Sequence, residues 1–127
     1  MLKTGILNPQ INSLVSRVRH TNTLVIADRG FPYWPQLETI DISLVDDIPT
    51  VLQVLQALKS NFVIGNAWMA GEFRDHNSVD TVVSYTNLLP KIIFEPHIEF
   101  KRRVPATIGL IRTGDTTQYG NIIIESA

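Results

Sequence analysis

The sequence predicts one three-layer α/β/α domain over residues 1–127, built on a mostly parallel central sheet. Three observations carry that reading. Helix-like and strand-like segments alternate along the chain, as they do where parallel strands are joined by helical crossovers. The run Thr23–Ala27 is β-branched, too short for a helix and too apolar for an exposed edge, so it reads as a strand covered on both faces. A length of 127 residues with 44% apolar content suits a single buried core and argues against disorder.

The elements follow in order. Asn8-Pro9 is a helix start, a capping side chain followed by proline where a missing N–H costs nothing, and Ile11, Leu14, Val15 and Val18 fall on one helical face. Arg17, Arg19 and His20 are expected in its last turn, where positive charge suits the helix dipole. Glu38–Val45 alternates apolar and polar, a strand with one wetter face. Asp46, Asp47 and Pro49 announce a helix carrying Val51, Leu52, Leu55 and Leu58. Phe62–Met69 reads as a second apolar strand, broken by Gly65. Gly71–Asn77 is a polar approach to a helix capped by Ser78, which bears Val79, Val82, Val83 and Leu89 and ends at Pro90. Ile92–Phe94 is a short strand, and His97–Val104 a short helix between Pro96 and Pro105. Ala106–Ile111 and Asn121–Ile124 are strands around a polar loop long enough to turn the last one antiparallel.

Composition narrows the function. A net charge of −1 gives no general attraction to nucleic acid or to an anionic membrane. With no cysteine, disulfides and thiolate-held metals are excluded. No apolar stretch approaches the ~20 residues of a spanning helix, and Met1–Leu7 lacks the apolar centre of a signal peptide. A cytoplasmic protein is expected. No glycine-rich phosphate cradle occurs, and no serine sits in a nucleophile-elbow context.

The residues able to do chemistry cluster around His20–Pro35. Asp28 closes a buried strand, the place where ligands bind in open parallel sheets. It reads either as a loop cap or as a site residue. His20 reads either as a helix-end histidine or as a general acid or base whose unperturbed pKa lies near neutrality. Phe31, Tyr33 and Trp34 either stack on a sugar's C–H face or fill the core. Glu72, Asp75 and His76 match no standard zinc spacing and read as a charged helix approach, so no metal site is assigned. His97 and Lys101, four apart, share a helical face. Lys101-Arg102-Arg103 reads as a solvated face rather than a nucleic-acid patch. Tyr119-Gly120-Asn121 is either turn chemistry or a phenol and an amide offered to a ligand.

The run His20-Thr21-x-Thr23-Leu24-Val25-x-x-Asp28-x-Gly30-x-Pro32 resembles the ribose pyranase (D-ribose mutarotase) family and its sister group, the fucose mutarotases. The likeness extends through Gly5-x-Leu7-Asn8, Ile48-Pro49 to Leu55, His76-Asn77 and His97-x-x-Phe100-Lys101. It ends with Arg112-Thr113-Gly114-Asp115 and Tyr119-Gly120-Asn121-Ile122. The resemblance implies that family's fold and a cofactor-independent isomerase that interconverts ring forms of a free ribose- or fucose-like sugar. It also implies a ring-shaped homo-oligomer with sites between subunits. Carried over by motif, His20, Asp28, His97 and Tyr119 would be catalytic, and Lys101 and Asn121 would bind substrate. In this picture Asp28 orients His20 for one proton and His97 or Tyr119 handles the other. The alternative is a sugar-binding or transport-associated accessory protein without catalysis. Arg29 favours that alternative, standing where it would compete with His20 for Asp28. Assembly without any sugar binding would instead mark a scaffold.

Overall fold

A computed structural model of the chain describes residues 1–89 and 91–127. Among them six strands, β1 (Thr23–Ala27), β2 (Thr39–Asp41), β3 (Ile64–Ala70), β4 (Ile92–Glu95), β5 (Gly109–Arg112) and β6 (Ile122–Ser126), form one sheet in the order β2-β5-β1-β6-β3-β4. The helices are α1 (Pro9–Arg17), α2 (Val51–Lys59), α3 (Glu72–His76), α4 (Val79–Leu88) and α5 (His97–Arg103), with a 3₁₀ turn at Val104–Ala106. β1 runs parallel to β5, β5 to β2, and β3 to β4, whereas β6 is antiparallel to β1 and β3. The sheet is thus mostly parallel, as expected, with the reversed strand inside it rather than at an edge.

The polar loop from 113 to 121 explains that reversal. It leaves β5, crosses the carboxyl end of β1 and returns down the other side of β1 as β6. Thr113 N–H and Oγ1 both donate to the Ala27 carbonyl at 2.9 Å, and Arg29 N–H donates to the Asp115 carbonyl at 3.1 Å. The loop thereby crosses the end of β1 at which Asp28 stands.

Alternate residues of β1 point into two separate cores, which is why the whole run is apolar. Leu24 and Ile26, with Met69, Ile111, Ile122 and Ile124, meet Ile11, Leu14, Val51, Leu55, Leu58, Phe73 and Tyr85 from α1 to α4. Val25 and Ala27, with Trp68, Leu110 and Ile123, meet Phe31, Leu37, Phe100 and Val104. Gly109 lets α1 settle on β5, since a Cβ there would lie 2.5 Å from Leu14 Cδ1.

The caps of α1 and α4 form as read: Asn8 accepts from Ile11 N–H, and the Ser78 hydroxyl accepts from Thr81 N–H. At α2 the cap is Thr50, in a reciprocal box with Gln53, rather than the aspartates before it. Several expectations need correction. α1 stops at Arg17 and Val18 turns extended, so Arg19 and His20 lie beyond the helix, in the turn before β1. β2 ends at Asp41, because its side chain accepts from both the N–H and the hydroxyl of Ser43 and turns the chain away from the sheet. Leu44, expected on a strand face, is exposed. The segment 71–77 contains the short helix α3. β5 starts only at Gly109, after the 3₁₀ turn. On α4, Val79 and Val83 face solvent and Tyr85 is the core residue. The expectation that Pro90 ends α4 lies outside the described residues.

Candidate active site

Antiparallel pairing sets Ile26 of β1 opposite Ile122 of β6, so the chain leaving β1 meets the chain entering β6. Asp28 and Asn121 consequently face each other, 93 positions apart in sequence. Asp28 N–H donates to Asn121 Oδ1 at 2.7 Å, and Asn121 Nδ2 donates back to Asp28 Oδ2 at 3.1 Å. Gly30 N–H donates to Asp28 Oδ1 at 3.0 Å. Asn121 is buried, and the pair fixes the carboxylate's direction. Burial holds the Asp28 carboxyl above the usual carboxylate range; the Asn121 and Gly30 bonds oppose that rise, and the Asp115 carboxylate adds to it.

The loop that carries Tyr119 is braced from below. The buried Asp115 carboxylate accepts from Val51 N–H at 2.8 Å, capping α2, and from Thr117 N–H at 2.7 Å. Tyr119 itself has a φ of 54°, left-handed backbone that a residue with a side chain adopts only when its surroundings impose it. Its ring lies 5.1 Å from that of His97, edge-on at 79°, and 5.1 Å from that of His76.

His97 opens α5, with its ring parallel to that of Phe100 at 6.1 Å. Its Nδ1 is buried without a hydrogen-bond partner among the described residues, which leaves Nε2 as the nitrogen a ligand can reach. Burial lowers the His97 pKa and the ammonium of Lys101 lowers it further, while Glu72 and Asp28 pull it up. Lys101 sits one turn on, as the four-residue spacing predicts. Arg102 pairs with Glu99 and Arg103 with Glu95, whereas Lys101 has no ion-pair partner among the described residues. The basic run is therefore divided: two cations are held by carboxylates and one faces the site.

Asp28, His97, Lys101, Tyr119 and Asn121 line one cavity of about 380 Å³, with Gly30, Phe31, Pro32 and Gln118 completing its wall. Five of the six residues carried over from the motifs thus converge. His20 does not join them. It is exposed in the turn before β1, at the other end of the strand from Asp28. β1 alone spans roughly 13 Å at about 3.3 Å per residue, so within one chain Asp28 does not orient His20. The His20 turn is well fixed: Thr21, at φ 67°, donates its N–H to the Ser126 carbonyl, and Asn22 N–H donates to Arg19. Arg29 also departs from expectation. It turns away from Asp28 and pairs with Asp46 at 2.6 Å, so it does not compete for that carboxylate. Of the aromatic trio only Phe31 reaches the cavity; Tyr33 is exposed and Trp34 packs on the second core.

Sequence reasoning passed over Gln118 and Glu72. Gln118 adjoins Tyr119, but its wall position depends on the loop's path. Glu72, read as a charged approach, accepts His97 N–H on both carboxylate oxygens at 3.1 and 3.0 Å. Among the described residues no three His, Asp or Glu side chains converge as a metal site.

The model of the RbsD / FucU transport protein family matches residues 1–127. The chain belongs to that family. Among its relatives, the D-ribose pyranase of Geobacillus kaustophilus is 38% identical over 128 residues, covering 99% of this chain and 93% of the relative. The D-ribose pyranase of Rhodopirellula baltica is 31% identical over 131 residues, covering 99% and 97%. Bacillus subtilis RbsD, solved with D-ribose, superposes with a TM-score of 0.93 at 29% identity over 100% of this chain and 98% of its own. The fucose mutarotase of Streptococcus pneumoniae, solved with L-fucose, shares the fold at a TM-score of 0.84 and 16% identity, covering 99% and 98%. The family assignment agrees with the resemblance seen in the motifs, and the six-stranded α/β sheet is the family's fold.

Proposed function

We propose that this chain is a monosaccharide mutarotase of the D-ribose pyranase type, which interconverts ring forms of free ribose. The observation that carries this is the convergence of Asp28, Asn121, His97, Lys101 and Tyr119 on one cavity. Its volume lies within the roughly 300–1,000 Å³ range of small-molecule sites. Identity of 38% to a D-ribose pyranase over nearly the whole chain supports ribose in particular.

A cyclic sugar is a hemiacetal. To open it, a proton must leave the anomeric hydroxyl and another must reach the ring oxygen as the bond between that oxygen and C1 breaks. The aldehyde then rotates about C1–C2. Attack by a chain hydroxyl on either face of the carbonyl, with the proton transfers reversed, gives a new ring. Atoms are conserved throughout and no electrons are exchanged, so the chemistry asked of the protein is proton transfer and positioning.

In this reading Lys101, the Asn121 amide and the Asp28 carboxylate hold sugar hydroxyls. His97, through Nε2, or the Tyr119 phenol handles one proton. His20 handles the other, and since it cannot reach its own chain's cavity it comes from the partner subunit of a ring-like homo-oligomer. The exposed, fixed turn that carries His20 supports that arrangement. The relation of His20 to Asp28 then holds between subunits instead of along one strand.

The test is saturation-transfer NMR on ribose. Ring-form exchange should rise in proportion to wild-type protein and fall to background with D28N and with H20A. Ribose binding by calorimetry with no acceleration of exchange would overturn the enzyme reading in favour of a binding protein. The same assay with fucose checks the choice of sugar.

A further inference from the structure

We propose that Glu72 is a positioning residue of this site, holding through its carboxylate and its carbonyl the two imidazoles that pack against the Tyr119 ring. The inference rests on the assignment of the cavity made above and adds to it a residue that touches no substrate.

The need for Glu72 begins with α5. Pro96 precedes His97 and has no side chain able to accept, so α5 lacks the cap that Ser, Thr, Asp or Asn would supply. Glu72 fills the gap from 25 positions away, taking His97 N–H on both carboxylate oxygens at 3.1 and 3.0 Å. A carboxylate there also answers the positive end of the helix. This bond sets where α5 starts, and so where the His97 ring stands.

The Glu72 carbonyl meets His76 Nδ1 at 2.9 Å. A carbonyl can only accept, so His76 carries its proton on Nδ1 and its ring is fixed one turn along α3. Each of the two imidazoles packs against Tyr119 with its ring centroid 5.1 Å from that of the phenol ring. Asn77 extends the clamp by donating from Nδ2 to the Gln118 carbonyl at 2.8 Å. A left-handed tyrosine needs such restraint, because its backbone conformation is not one it would choose alone.

Glu72 also acts on charge. The groups facing His97 are Lys101 on its own helix, Glu72 from α3, Asp28 at the end of β1, and Tyr119 from the loop before β6. Of these, Glu72 and Asp28 favour the imidazolium, against burial and Lys101. Removing the Glu72 charge therefore makes His97 harder to protonate.

The experiment compares E72Q and E72A with wild type, reading ribose ring-form exchange across pH and the His97 imidazole titration by NMR without sugar. E72A should lose about 10- to 100-fold in exchange rate, the scale expected when a site group is displaced by about an ångström. E72Q keeps an acceptor for His97 N–H, so it should recover most of the rate at alkaline pH. Its His97 should titrate at lower pH than in wild type, and any acid limb of the rate profile should move with it. If E72A does not fold, E72Q decides alone: an unmoved His97 titration overturns the proposal. Wild-type exchange and titration in a folded E72A overturn it equally. Should the wild-type protein show no exchange at all, the mutarotase reading fails, while the titration still shows whether Glu72 governs His97.

Discussion

The two ends of β1 are built differently. At the carboxyl end, Asp28 meets Asn121, the loop from 113 to 121 crosses overhead, and α5 brings His97 and Lys101 to the same cavity. At the amino end, His20 stands exposed on a turn tied down by its backbone. Both ends carry residues of the family motif, and the cavity lined by five of them lies at the carboxyl end. The difference teaches that one chain brings five of the motif residues to one end of the sheet and leaves the His20 imidazole at the other. The function proposed above joins the two ends through a second copy.

The sharpest way to break this comparison is to mix defects. H20A and D28N should each lower ribose exchange by about 10²- to 10⁴-fold, the usual contribution of a positioned acid or base. Oligomers co-assembled from the two variants contain some sites with an intact His20 from one chain and an intact Asp28 from the other. Exchange should therefore reappear on mixing. No recovery in co-purified mixed oligomers would show that the two residues do not cooperate across an interface.

Next in size is the platform under the cavity end. Phe100 is fully buried, edge-on to Phe31 and stacked below His97. F100A should cost about 3–5 kcal/mol in urea unfolding and should loosen the His97 ring. H20A, made at an exposed turn, should leave the urea midpoint close to wild type.

A smaller effect comes from pH. Because burial holds His97 below its ordinary value of 6.5, the unfolded chain takes up a proton there more readily than the folded one. The stability this site contributes is complete above that value and declines as pH falls below it. Urea midpoints measured from pH 8 to pH 5 should fall more steeply in wild type than in H97Q.

The smallest expected change is at Arg29. Its ion pair with Asp46 is exposed on both sides, so R29A should shift stability by less than about 1 kcal/mol. Exchange activity should stay at the wild-type level. A large gain in activity would instead mean that Arg29 restrains Asp28 in solution.

Much of the fold was legible because it depends on local chemistry. Asn8-Pro9 and Ser78 start helices by supplying acceptors to free N–H groups, and the β-branched run 23–27 suits a strand buried on both faces. The residues that converge on the cavity became candidates only through ordered motifs, since no spacing along the chain reveals that Asp28 will meet Asn121. Glu72 was missed for a physical reason. Its partner is a backbone N–H far along the chain, and the one hint is that Pro96 leaves α5 without a cap of its own.

By itself, then, the sequence determined where most strands lie, the starts of α1 and α4 and the family, because hydrophobic period, capping and motif order act without knowledge of the packing. The path of the 113–121 loop over the end of β1, the place of the reversed strand inside the sheet and the separation of His20 from Asp28 were decided by tertiary structure alone. Strand order and register join residues up to 93 positions apart, and they follow from how whole faces pack rather than from any local pattern.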